Sequence, residues 1–113
     1  GHFDTAIDTI QKAIELDPGD AMAYTNRGNV YDELEQYEEA LADYTKAIEL
    51  NPSEELAYYN RGNTYKALEQ WKQAIDDCSQ FIELAPPQYA QHVAAVKEQI
   101  SLLVFLSRKK WKG

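Results

Sequence analysis

The sequence predicts an all-α protein, a right-handed solenoid of antiparallel helix hairpins, on three observations. Residues 21–54 laid over 55–88 give 16 identities in 34 positions without a gap. Within each copy apolar and small residues recur at spacings of three and four, the period of an amphipathic helix. Short polar breaks containing Pro separate the copies, so each copy must fold as a helical hairpin that stacks on the next.

The same register extends backward. Phe3, Ala6, Ile7, Ala13, Ile14, Glu15, Leu16 and Pro18 correspond to Tyr37, Ala40, Leu41, Ala47, Ile48, Glu49, Leu50 and Pro52. Residues 1–18 therefore read as the second helix of a truncated first repeat, and the chain as a fragment of a longer solenoid. Residues 21–54 and 55–88 are whole repeats. In the first, Tyr24, Gly28, Tyr31 and Leu34 mark one helix and Tyr37, Ala40, Leu41, Tyr44, Ala47 and Ile48 the other, with a tight turn at Glu35-Gln36. Asp20 and Ser53 are placed to cap the helices that follow the Pro18 and Pro52 breaks. Residues 87–110 read as one long helix on the apolar stripe Val93, Val96, Ile100, Leu103 and Val104, and residues 111–113 as a tail.

Composition narrows the function. The net charge of −8 argues against nucleic-acid binding, which needs cations facing phosphates. It favours a basic or neutral partner. Up to residue 107 seven bases stand against 19 acids, a balance of −12, while Arg108, Lys109, Lys110 and Lys112 give the end of the chain +4. The apolar run 102–106 before those cations is far shorter than the about 20 residues a membrane-spanning helix needs. Cys78 is the single cysteine, so no internal disulfide forms and a reducing, cytoplasmic setting is compatible.

No nucleophile stands beside a base, and His2 and His92 lack Cys or a second His at ligand spacing. The sequence is read as non-catalytic, with no cofactor and no metal. The acidic run Asp32, Glu33, Glu35, Glu38, Glu39 and Asp43 is read as a solvated helix face.

Tyr24, Gly28, Tyr31, Ala40, Tyr44, Ala47 and Pro52, and again Tyr58, Gly62, Tyr65, Ala74, Cys78, Phe81 and Pro86, resemble the signature of the tetratricopeptide repeat in order and spacing. The second copy departs at one place. Tyr44 with Ala47 becomes Cys78 with Phe81, as though bulk had moved three residues along one helix face, with Cys78 a small buried hydrophobe. The resemblance covers residues 1–88 and implies a protein-binding solenoid whose last helix caps the final hairpin. It also implies that the first helix of each hairpin lines a concave groove. By register the ligand-facing positions are Met22, Thr25, Asn26, Asn29, Asp32 and Glu33, then Leu56, Tyr59, Asn60, Asn63, Lys66 and Ala67.

The paired Asn residues of each copy suit main-chain recognition of an extended peptide. Chaperone-binding members of the family grip acidic C-terminal tails with cations. Here Thr25 and Tyr59, Met22 and Leu56, and Asn26 and Asn60 stand where those cations would be, which disfavours an acidic tail.

The expected function is a scaffold binding a segment of another protein, in an assembly or cochaperone-like factor. The alternatives are a self-associating module, using the uncovered face of Ala6, Ile10 and Ala13 or the surplus apolar surface of Leu102, Phe105 and Leu106, and the regulatory portion of an enzyme. Arg27 and Arg61 each stand 16 residues before an acid, Asp43 and Asp77, which predicts an ion pair across each hairpin. Gly28 and Gly62 are expected at close helix contacts.

Overall fold

A computed structural model describes residues 1–112, with side chains described through Lys109. Six helices follow one another: α1 (His2–Leu16), α2 (Ala21–Glu33), α3 (Tyr37–Leu50), α4 (Glu55–Ala67), α5 (Trp71–Leu84) and α6 (Ala90–Lys112), the last entered through a 3-10 turn at Pro87–Tyr89. No strand occurs among the described residues. α6 runs to Lys112, two residues past the expected end of that helix. Helices in contact are mainly chain neighbours, and α2 also touches α4, as in a right-handed solenoid; the body measures 47 × 33 × 23 Å.

The two hairpin turns are built alike. α2 is C-capped at Leu34, after which the Gln36 N–H donates to the Tyr31 carbonyl and the Glu35 N–H to that of Asp32, both at 2.9 Å. α4 repeats this with Gln70 to Tyr65 and Glu69 to Lys66. The pattern is a Schellman termination, which needs a left-handed residue just past the helix. That residue is Glu35 (φ 59°) and Glu69 (φ 58°), the positive-φ residues other than glycine among those described.

The turns between hairpins differ at the cap. Asp17 and Asn51 each accept the N–H two residues on, from Gly19 and Ser53, and a main-chain bond closes each turn. Asp20 then caps α2 as expected, accepting from the N–H groups of Met22 (3.1 Å) and Ala23 (3.4 Å). Ser53 does not cap α4. It lies inside the Asn51 turn, as Gly19 lies inside the Asp17 turn, and the cap position is Glu54, the register equivalent of Asp20. Glu54 makes no side-chain cap bond, is buried, and is pushed above the ordinary carboxylate value by desolvation and by the nearby Glu55 and Asp20.

The core follows the repeat. Ala40, Tyr44, Ala47 and Ala74 are 0% exposed, while Ala6 and Ile10, in the same register on α1, are half-buried and Ala13 is exposed. α1 packs on α2 and leaves this face open. At the other end Val96 and Leu103 of α6 join Ala74, Cys78 and Phe81 in one cluster. The exchange of bulk on α5 is visible there. Cys78 and Phe81 are both buried, and the Phe81 ring lies 5.0 Å from Tyr59 and 6.3 Å from Tyr89, between hairpin and last helix. Burial pushes the Cys78 thiol up, away from the reactive thiolate.

The glycines on α2 and α4 are both buried, and both face the partner helix. A Cβ at Gly28 would lie 2.5 Å from Tyr44 Cε1, and one at Gly62 3.2 Å from Asp77 Cβ.

Candidate peptide groove

Three side-chain systems decide which residues of α2 and α4 are free to meet a ligand. The first spans each hairpin. Arg27 donates from Nε and Nη2 to the two carboxylate oxygens of Asp43, both at 2.8 Å, and Arg61 does the same to Asp77. The expected pairs are thus formed, in bidentate geometry. Each guanidinium also lies over two tyrosines of its own helix, Arg27 over Tyr24 and Tyr31 and Arg61 over Tyr58 and Tyr65, at 5.5–6.0 Å from the ring centroids. These rings stand three residues before and four after the Arg, a spacing that brings them to its face of the helix. Arg61 further donates from Nη1 to Thr45 Oγ1 at 3.2 Å, tying the second hairpin to the first.

The second system centres on Asp32. Its carboxylate accepts from the Tyr44 hydroxyl at 2.7 Å and from the Thr64 hydroxyl at 2.6 Å. Tyr44 Oη also lies 2.8 Å from Asn29 Oδ1. The phenol has one proton, and the carboxylate is the stronger acceptor; turned about its amide, Asn29 donates back to Tyr44. Burial, together with Asp32, holds the Tyr44 phenol far above its ordinary value.

The third is aromatic and lies where α4 and α5 meet the 3-10 turn and α6. Tyr59 stacks near Phe81 and meets His92 edge-on at 6.2 Å, and His92 meets Tyr89 at 6.1 Å.

Against this geometry the expected ligand positions separate. Thr25 is not available: it is 1% exposed, its hydroxyl donating to the Ala21 carbonyl at 3.2 Å, because position 25 turns toward the interior of the repeat stack. Asp32 is not a free ligand either, since both its oxygens serve the junction of the two hairpins. Asn29 is committed to Tyr44. Met22, Asn26, Glu33 and Ala67 are exposed, and Leu56, Tyr59, Asn60, Asn63 and Lys66 half-buried. Among the described residues the side-chain amides of Asn26, Asn60 and Asn63 have no hydrogen-bond partner. Of the acidic run expected to face water, Glu33, Glu35, Glu38 and Glu39 do so, whereas Asp32 and Asp43 point into the structure.

Asn29 and Asn63, equivalent by register, are thus chemically distinct. Tyr44 stands opposite Asn29, and its counterpart opposite Asn63 is Cys78, a weak donor with burial raising its pKa. The exchange of Tyr44 and Ala47 for Cys78 and Phe81 frees the second amide. Sequence reasoning missed Thr45, Thr64 and the tyrosine sandwiches. The Tyr-x-x-Arg-x-x-x-Tyr spacing was the signal that pointed to the last of these.

The tetratricopeptide repeat family model matches residues 21–54 and 56–87. A sequence comparison with curated proteins finds no match. Among solved structures, the first TPR of Spaghetti (RPAP3) bound to HSP90 peptide SRMEEVD is 29% identical, with 89% of this chain and 82% of that one covered and a TM-score of 0.75. The NMR structure of the first TPR domain of human RPAP3 is 27% identical, covering 98% and 84%, at a TM-score of 0.84. The Arabidopsis OM64 TPR domain is 26% identical, covering 88% and 81%, at 0.80.

Proposed function

This chain belongs to the tetratricopeptide repeat family, and we propose that it holds an extended, neutral or basic segment of a partner protein along the inner stripe of α2 and α4, as part of an assembly or cochaperone-like factor. The reading rests on the unpartnered amides of Asn26, Asn60 and Asn63. An amide side chain offers a donor and an acceptor together, the complement of a peptide unit, and these three lie on two adjacent parallel helices. Asn29, held by Tyr44, then serves to fix the wall of the groove.

The RPAP3 relative, bound to the peptide SRMEEVD, supports the mode of binding. It does not transfer the ligand. On this chain Thr25 is buried, Tyr59 is packed against Phe81 and His92, and Lys66 is the one cation among the groove positions. A tail with three acidic side chains and a terminal carboxylate would meet one Lys beside Asp32 and Glu33.

Two measurements test this. Partner capture with wild type and with Asn60→Ala/Asn63→Ala should differ at least about tenfold, the loss of two hydrogen bonds of roughly 1 kcal/mol each; equal capture refutes the groove. Titration with SRMEEVD and with its amide counterpart SRMQQVN, of net charge about +1, should show the amide peptide binding at least as well. Tight binding confined to SRMEEVD overturns the neutral or basic preference and leaves the groove itself standing.

A further inference from the structure

α6 has two opposite faces. Val96 and Leu103, each 1% exposed, pack into the cluster with Ala74, Cys78 and Phe81. About 140° around the helix, at 3.6 residues per turn, Glu98, Leu102, Phe105 and Lys109 follow at spacings of four, three and four and form a single stripe. All four are exposed, Leu102 at 58% and Phe105 at 61%. Among the described residues neither Glu98 nor Lys109 has an ion-pair partner.

The stripe reads acid, apolar, apolar, base, so it is its own complement when reversed. A second copy related by a two-fold axis between Leu102 and Phe105 sets Leu102 on the partner's Phe105 and Glu98 on the partner's Lys109, at both ends at once. A parallel arrangement would instead oppose Glu98 to Glu98 and Lys109 to Lys109, which like-charge repulsion forbids. Ser101 and Arg108 lie together on one flank of the stripe.

We infer that α6 mediates an antiparallel, isologous homodimer through Glu98, Leu102, Phe105 and Lys109. This surface is distinct from the groove on α2 and α4 and leaves it open. One helix face is small for a protein interface, so association is weak.

Sedimentation equilibrium of the chain in low salt, from about 10 μM to about 1 mM, where surface charges are little screened, tests this. The apparent mass should climb toward twice that of the monomer. Glu98→Lys and Lys109→Glu should each weaken association at least tenfold. An equimolar mixture of these two variants should associate again, because in the mixed pair every Lys meets a Glu. Circular dichroism and thermal melts of both variants should match wild type, since all four side chains are exposed. A monomer throughout the range, association that neither reversal alters, loss on Asp8→Lys of α1 in place of Glu98→Lys, or a mixture as monomeric as its components overturns the inference.

Discussion

Replacing Gly28 by Ala and, separately, Gly62 by Ala performs one chemical change at one position of two repeats. The helix-propensity gain, about 1 kcal/mol for Gly to Ala, is common to both. The surroundings are not. At Gly28 the new methyl would lie 2.5, 2.8 and 3.0 Å from Cε1, Cδ1 and Cζ of Tyr44. Carbon atoms settle at about 3.5–4.0 Å, so the ring must withdraw by about 1 Å. Tyr44 has little freedom to do so, being 0% exposed with its hydroxyl held 2.7 Å from Asp32. Overpacking of this kind costs roughly 1–3 kcal/mol, and loosening a hydrogen bond to a carboxylate adds about 1.5 kcal/mol. After the propensity gain the net loss is about 1.5–3.5 kcal/mol.

At Gly62 the nearest atoms are Asp77 Cβ at 3.2 Å, Cys78 Sγ at 3.4 Å and the Ala74 carbonyl oxygen at 3.5 Å. A shift of a few tenths of an ångström accommodates the methyl, so Gly62→Ala should stay within about 0.5 kcal/mol of wild type. For 113 residues each kcal/mol moves Tm by about 4 °C. Thermal unfolding followed by circular dichroism should therefore place Gly28→Ala about 6–14 °C below wild type and Gly62→Ala within about 2 °C of it. Tyr44→Phe, which keeps the ring, should not rescue Gly28→Ala. Equal melting temperatures for the two Gly variants would refute the assignment of the clash to the Tyr44 ring.

Asp77→Asn leaves the Arg61 guanidinium, with its side chain 18% exposed, without its counter-charge and should cost about 2 kcal/mol in urea unfolding; an unchanged midpoint would show the pair to be dispensable. Glu35→Gly and Glu69→Gly relieve left-handed strain at φ 59° and 58° and should each raise stability by about 0.5–1 kcal/mol, net of the flexibility glycine adds to the unfolded chain. Destabilisation by either would mean that the Glu side chain contributes more than its backbone costs. Glu54 has a folded pKa above its unfolded one, so its protonated form favours the fold: that contribution is complete below the unfolded pKa and lost as pH rises through the folded value. Stability measured from pH 4 to 7 should fall in wild type relative to Glu54→Gln, and parallel profiles would exclude strain from that carboxylate.

What the sequence revealed follows the 34-residue period. Helix order, the hairpin turns, the close glycines and the Arg27–Asp43 and Arg61–Asp77 pairs all recur in both copies, so duplication announced them. What escaped lies where the copies differ or where a contact crosses between them. The Asp32–Thr64 bond joins residues 32 apart that have no repeated counterpart, since Lys66 replaces the acid and Val30 the hydroxyl. Thr25 falls at a groove position by register, and register gives a direction around the helix and not a depth. Ser53 has the composition of a cap, yet it lies inside the Asn51 turn, and the cap position falls to Glu54, one methylene longer than the Asp at the same place in the preceding break.

The Asp32–Thr64 contact also means that the order of the two repeats is written into the chain. A solenoid made by duplicating residues 21–54 would bring Val30 against Asp32 and bury a carboxylate short of one donor. Duplicating residues 55–88 would face Thr64 with Lys66. Despite 16 shared positions the copies are not interchangeable units. Each surface at the junction recognises the other and would reject its own twin, which makes the two hairpins an ordered pair and keeps either from being shuffled, permuted or extended by simple copying.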